Sequence, residues 1–392
     1  MRKIFFLLII TLGLCFSSYA QPTVQTGAER VDDYIWLLQG RKVAVCGNQT
    51  SMVGNVHLVD TLLKRGINVV KIFCPEHGFR GNAEAGAHIA SGTDPKTGLP
   101  IVSLYGKNKK PTPEQLQNID YVLFDLQDVG CRFYTYISTL HYVMEAAAEN
   151  NVEVIVLDRP NPNGYFVDGP VLDPKYKSFV GMHPVPVVYG MTIGEYARMI
   201  NGEGWLAGGI HCNLAVVTLQ HYTHNTRYAL PVPPSPNLPN AESIYLYPSL
   251  CLFEGTNISV GRGTTLPFQI YGAPMMKGGD YTFTPAPIRG VSENPPHNGK
   301  ACRGFYLKDF ATRNLDSANQ FNLQYLLTAY RLYSDKDNFF INANFFDKLA
   351  GNDRLRKQII SGVSEEEIRQ SWQEDLENFK SIRKKYLLYP ED

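Results

Sequence analysis

The chain has 392 residues, 44% hydrophobic and 19% charged, an ordinary globular balance with length enough for a sizeable core and two domains. Lys plus Arg and Asp plus Glu both number 37, so the net charge is zero and there is no electrostatic case for nucleic acid as a partner; a neutral sugar or another small ligand fits better. Aromatic residues make up 12% of the chain, 23 tyrosines among them, which suits a sugar-stacking surface and equally suits ordinary core packing.

The amino terminus reads as a targeting segment. Arg2 and Lys3 precede an apolar run over 4–16, and Ser18-Tyr19-Ala20 ends on a small residue. This is the pattern of a secretory signal cleaved near Ala20, which would leave the mature chain periplasmic or secreted. The run is too short and wrongly flanked for a membrane span, and no later stretch approaches the ~18–20 apolar residues one needs, so stable membrane insertion is not expected. Leu14 stands where lipidation of Cys15 would call for a small residue, which argues against a lipoprotein. Cysteines 46, 74, 131, 212, 251 and 302 are scattered without a CxxC pair, so a zinc–cysteine site is not expected. Cys46, Cys74 and Cys251 lie in apolar contexts and read as small buried hydrophobes.

The first half alternates strand and helix. Strands are predicted over 41–46, 67–74, 101–104, 121–126 and 152–157, with helical spacing over 56–64, a helix starting over 113–118 and a long helix over 134–150. Continuous apolar runs of this kind suit strands buried on both faces, and the β-α-β-α order implies an α/β fold, a parallel sheet with helices on both sides. Thr192-Ile193-Gly194-Glu195 has capping-box spacing and opens a further helix, followed by a strand over 214–219. The stretch PVPPSPNLP at 231–239 is an extended connector. It divides the chain into a signal segment (1–20), a domain over 21–235 and a smaller mixed domain over 236–392. A closing helix is expected from Ser364, with Ile368, Trp372, Leu376, Phe379 and Ile382 on one face packing it down.

In open α/β sheets ligands bind beyond the carboxyl ends of the strands, and here those positions are rich in ionisable groups. After the second strand comes PEHGFRG at 75–81. Glu76 is placed to protonate a leaving oxygen, with His77 and Arg80 able to tune it; the alternative is a solvated loop or a structural ion pair of Arg80. After the fourth strand comes FDLQDVGCRFYTY at 124–136. Asp125, Asp128, Arg132 and Tyr134 could bind sugar hydroxyls, orient a catalytic group or take a carboxylate through Arg132; alternatively one Asp caps the helix and the other pairs with Arg132. After the fifth strand comes DRPNPNG at 158–164, where Asp158, Arg159 and Asn161 are good hydroxyl and carboxylate partners on a proline-stiffened loop, or simply form a turn. Glu254, set among Leu250, Leu252 and Phe253, is costly unless used or paired, and so is a candidate second carboxylate or the partner of Arg262 in an ion pair. The GRGTT segment at 261–265 lacks a P-loop ending, and the first strand lacks GxGxxG. HExxH and GxSxG are absent too. Glu76, His77, Asp125, Asp128 and His183 could be imagined around a metal but have no diagnostic spacing.

Five stretches in one order, PEHGFRG, FDLQDVGCRFYTY, DRPNPNG, GMTIGE at 190–195 and FEGTNISVGRGT at 253–264, resemble the exo-β-N-acetylmuramidase family over nearly all of the mature chain. The resemblance implies a Rossmann-like amino-terminal domain, a smaller α+β carboxy-terminal domain and a site in the cleft between them. It implies release of terminal N-acetylmuramic acid from the non-reducing end of peptidoglycan-derived saccharides, without an organic cofactor. It places general acid/base work on Glu76. To this the reading of the residues themselves adds Glu254 or Asp128 as base or nucleophile, with substrate-assisted chemistry through the N-acetyl group as the alternative, and Arg132, Asp158, Arg159 and Asn161 holding the sugar. One departure is visible: a His is expected before Gly190-Met191-Thr192, and Tyr189 stands there. A non-catalytic muropeptide-binding envelope protein and a metal-dependent envelope hydrolase share the same signal segment and cleft, and are the competing readings.

Overall fold

The computed structural model describes residues 23–391 except His77, residues 80–91, Asp316, Ala318 and Asn319. Among the described residues a seven-stranded sheet forms the centre. Its strands are β1 (Lys42–Gly47), β2 (Asn68–Cys74), β3 (Gly92–Thr93), β4 (Pro100–Ser103), β5 (Tyr121–Asp125), β6 (Glu153–Leu157) and β7 (Leu214–Val217). Their spatial order is β3-β4-β2-β1-β5-β6-β7, every pair being parallel except the short edge strand β3 against β4.

Alternate residues of one strand point to opposite faces, and each face has its own core. Val43 and Val45 of β1 pack with α1 (Val31–Leu38) and α2 (Leu58–Lys64), whereas Ala44 and Cys46 face the opposite core. After the single turn α3 (Pro113–Leu116), that second core takes in α4 (Tyr136–Glu149) and α5 (Ile193–Gly202). Helices therefore cover both faces, which is why the strands read as unbroken apolar runs. The capping box of α5 forms as the spacing predicts: the Glu195 N–H donates to Thr192 Oγ1 at 3.3 Å and the Thr192 N–H to Glu195 Oε2 at 2.9 Å.

The proline stretch is irregular and leads to α6 (Ala241–Leu250), capped by Asn240. The second half adds a three-stranded antiparallel sheet, β8 (Ile270–Ala273), β9 (Tyr281–Phe283) and β10 (Cys302–Tyr306), in the order β8-β10-β9. Among the described residues six α-helices come next: α7 (Lys308–Asn314), α8 (Gln324–Leu332), α9 (Ala343–Ala350), α10 (Arg354–Ile360), α11 (Glu365–Gln370) and α12 (Gln373–Arg383). The expected single closing helix is thus two, broken at Ser371-Trp372, where Trp372 leaves helical geometry at φ −119°. Ile368, Trp372, Leu376 and Phe379 are nevertheless all buried, so the apolar face continues across the break. The long helix begins at Tyr136 rather than 134, which leaves Tyr134 and Thr135 in the turn at its mouth.

The second core runs without interruption from the sheet into the carboxy-terminal helices. The tail then returns to the first half, where Arg383 donates to the Gly190 carbonyl and the Tyr389 hydroxyl to Asp158. All six cysteines beyond the amino-terminal segment are buried and free. No described helix is long and apolar enough to cross a membrane.

Candidate active site

A cavity of about 490 Å³ opens where strand-end loops of the sheet meet the second half of the chain. One wall comes from the loops after β2, β4 and β5, which supply Glu76, Tyr105, Tyr134 and Thr135. The other comes from α6 and the turns between it and β8, which supply Tyr247, Glu254, Arg262 and Phe268.

Glu76 lies two residues beyond β2 and is half-buried. Thr135 stands at the N-cap of α4, yet its side chain makes no capping bond to its own helix; its hydroxyl donates to Glu76 Oε2 at 3.1 Å instead. Tyr105 also hydrogen-bonds Glu76, and burial together with that carboxylate pushes the Tyr105 phenol up, so it stays a proton donor to Glu76. The carboxylate is thereby oriented by groups from two different loops.

Glu254 sits on the short turn Cys251–Gly255 that ends α6, anchored by the buried Cys251, Leu252 and Phe253. Arg262 reaches it from a turn with glycine on both sides, at φ +80° and +78°, a backbone path that residues with a Cβ rarely adopt. Its Nε and Nη2 donate to one oxygen, Glu254 Oε1, at 2.8 and 2.6 Å. Among the described residues Oε2 receives only the weak Cys251 thiol at 3.8 Å. The ion pair foreseen as the alternative for Glu254 is therefore present, and it leaves one carboxylate oxygen without a strong donor. Burial lowers the Arg262 pKa but the Glu254 carboxylate outweighs it, so the guanidinium stays charged.

Of the residues singled out in the sequence, Glu76, Tyr134, Glu254 and Arg262 line this cavity; His77 and Arg80 lie outside the described residues. Asp125, Asp128, Arg132, Asp158, Arg159 and Asn161 do not line it. They form the frame behind it. Asp125 and Arg159 are a buried pair, with Nε and Nη2 donating to the two carboxylate oxygens at 2.6 and 2.9 Å. Asp158 accepts from the Arg159 and Gly194 N–H groups, the Thr192 hydroxyl and the Tyr389 hydroxyl. Asn161 bonds the Met191 carbonyl and the Asn163 N–H. Among the described residues Arg132 has no carboxylate partner; its Nη1 and Nη2 donate to the carbonyls of Pro170, Val185 and Leu349, and its Nε is buried without a hydrogen-bond partner. The sugar-holding role expected of Arg132, Asp158, Arg159 and Asn161 finds no support in this placement, because none of them lines the cavity and most of their polar atoms bond the protein.

Asp128 is intermediate. Its Oδ2 takes the Gly130 N–H at 2.7 Å and the Tyr189 hydroxyl, while Oδ1 is buried without a partner. Burial pushes its carboxyl up to about 6, opposed by the Tyr189 phenol and by backbone N–H groups. The departure at Tyr189 thus has a definite role: it is fully buried and bound to Asp128, not in the cavity. His183 is likewise buried, hydrogen-bonded to His141 and Tyr196 and stacked on Trp205. Of the imagined metal set, His77 lies outside the described residues, and among the described residues no three His, Cys, Asp or Glu side chains come together as a metal site. The cavity residues Tyr105, Phe179 and Tyr247 carried no motif and escaped the sequence reading; Thr135 lay inside a quoted motif without being chosen.

A two-part α/β chain with one carboxylate held by hydroxyls and another by a guanidinium, both in a single cleft, has the equipment of a glycoside hydrolase. Comparison with known proteins agrees. The family model for the exo-beta-N-acetylmuramidase NamZ amino-terminal domain matches residues 43–242, and that for its carboxy-terminal domain matches 245–389. The peptidoglycan beta-N-acetylmuramidase NamZ of Bacillus subtilis is 43% identical over 389 residues, covering 94% of this chain and 92% of that protein. Two crystal structures of DUF1343 family proteins from Bacteroides fragilis superpose with TM-scores of 0.86 and 0.78, at 48% and 31% identity. They cover 95% and 93% of this chain, and 100% and 99% of their own. The chain belongs to the exo-β-N-acetylmuramidase NamZ family.

Proposed function

We propose that this protein is an exo-acting glycoside hydrolase releasing terminal N-acetylmuramic acid from the non-reducing end of peptidoglycan fragments. The observation that carries the reading is the presence of Glu76 and Glu254 in one cavity with different partners. Glu76, presented by hydroxyl donors, gives the proton to the leaving glycosidic oxygen. Glu254, paired with Arg262 and with Oε2 unengaged by a strong donor, serves as base or nucleophile on the opposite side of the scissile bond. Tyr134, Tyr105 and Phe179 supply aromatic surface for the sugar ring. The amino-terminal pattern ending at Ala20 supports export of the mature chain to the compartment where peptidoglycan lies.

The test uses residues 21–392 with a chromogenic N-acetylmuramide and the matching N-acetylglucosaminide. Release from the muramide is expected, with Glu76→Gln lowering kcat by about 10²–10⁴-fold, the usual contribution of a general acid, while its unfolding curve stays that of the wild type. Binding without release from either sugar would remove the enzyme reading, and loss of release in EDTA would put a metal in place of the carboxylate pair.

A further inference from the structure

An N-acetylmuramyl residue differs from an N-acetylglucosaminyl residue by a lactyl ether, and that ether ends in a carboxylate. A cation is one group that would favour the first over the second. Among the described residues lining the cavity, two carboxylates, Glu76 and Glu254, stand against one guanidinium, Arg262. That guanidinium already gives two nitrogens to Glu254. The described lining of the cavity therefore holds no unpaired positive charge for an anionic substituent.

The loop after β4 provides one at the rim. Tyr105 in this loop bonds Glu76, and four residues on, Lys109 extends over the ring of Phe179, with Nζ 4.5 Å from the ring centroid. Phe179 lines the cavity. Its ring stacks on Tyr142 (centroids 6.3 Å apart, planes at 16°) and tilts against Tyr105 at 6.3 Å, so two neighbouring rings hold the platform under the ammonium. Lys109 is half-buried and forms no hydrogen bond or ion pair with any described residue. Its neighbour Lys110 is committed elsewhere, to Glu145 and Glu149, both at 2.7 Å. The cation–π contact places the ammonium yet leaves all three N–H donors open.

We propose that Lys109, standing over Phe179 at the rim of the cavity, reads the lactyl carboxylate and so selects the muramyl residue. The proposal rests on the muramyl reading above. Lys109 is a specificity residue: it touches substrate away from the bond that breaks.

The experiment measures binding and turnover with three compounds: N-acetylmuramic acid, its lactyl methyl ester, which is neutral but nearly the same shape, and N-acetylglucosamine. Calorimetric Kd values are taken for wild type, Lys109→Met and Lys109→Arg; KM and kcat are taken with the chromogenic muramide. Lys109→Met is expected to weaken the acid by about two- to five-fold, the size of one partly exposed charge contact, and to raise KM with kcat held. It should leave the methyl ester and N-acetylglucosamine unchanged, and Lys109→Arg should recover most of the loss. The wild-type preference for acid over ester should shrink as salt rises. Equal affinity of wild type and Lys109→Met for the acid, or an equal fall for acid and ester, overturns the assignment. If the wild type binds N-acetylmuramic acid but releases no aglycone, the hydrolase reading fails, while the acid-to-ester ratio still decides the role of Lys109.

Discussion

Replacing Arg132 by Met separates a frame residue from a substrate-binding one. Arg132 is fully buried, and its guanidinium donates to the carbonyls of Pro170 and Val185 at 2.7 Å each and of Leu349 at 2.8 Å. The last of these lies at the carboxyl end of α9, so one side chain ties two loops of the first half to a helix of the second, and its charge faces the negative end of that helix. In the Met variant three buried carbonyls lose their donor, at roughly 1–3 kcal/mol each. The offset is also real, because a buried guanidinium without a carboxylate partner is itself costly to desolvate, and burial lowers its pKa to about 10. The balance predicts a net loss of about 3 kcal/mol, near the low end of the gross sum. Urea unfolding monitored by fluorescence and circular dichroism reads it as a lower midpoint at unchanged slope. Since Arg132 does not line the cavity, KM for the muramide should stay within about two-fold of wild type, the range of a position outside the binding contacts. A variant that unfolds like wild type but has a strongly raised KM would refute the assignment and return Arg132 to the substrate.

Two further predictions concern the layer beneath the cavity. Asp128 has its carboxyl raised from 3.8 to about 6, chiefly by burial, so between these values the native state binds more protons than the unfolded chain and stability falls as pH rises. Two units correspond to roughly 3 kcal/mol, and Asp128→Asn should remove that slope; unfolding midpoints of wild type and variant at pH 4, 5, 6 and 7 should diverge in favour of the variant, and parallel curves would show that the carboxyl does not titrate there. Gly130 has φ +72°, and a Cβ on it would lie 2.2 Å from Asn161 Oδ1. Gly130→Ala should cost about 2 kcal/mol or more from backbone strain and overpacking together, with Asn161→Ala in the same chain recovering only the steric part; a thermal melt equal to wild type would rule out this account of the turn.

The fold was legible where burial is symmetric. Each central strand feeds two cores, so both its odd and its even positions are apolar, and the shortness of these runs between turns separates them from buried helices. The break in the closing helix was not legible, because Ile368, Trp372 and Leu376 keep their apolar spacing across a turn that the hydrophobic pattern does not register.

The site was legible only in part, and the reason is pairing distance. Charged residues gather at the strand ends both to meet a ligand and to brace the loops that present it, and sequence position alone does not tell the two apart. What sorts them is the partner each one finds, and those partners are remote. Asp158 is bound by Tyr389 from 231 positions away, and Arg132 by the Leu349 carbonyl from 217. Glu254 and Arg262 are eight apart, and there the short separation let the ion pair be foreseen. Tyr105 and Phe179 carry no charge pattern at all: Tyr105 comes beside Glu76 only when parallel pairing brings the loops after β2 and β4 together, and Phe179 reaches the cavity from the long connection after β6. The density of Asp, Arg and Asn in the two central motifs is therefore mostly structural: these residues hold the strand-end loops in register with one another, and the cavity they hold needs few ionisable groups of its own. By this argument, charge-removing substitutions at Asp125, Asp158 and Arg159 should act on stability before they act on kcat, the reverse of the order expected at Glu76.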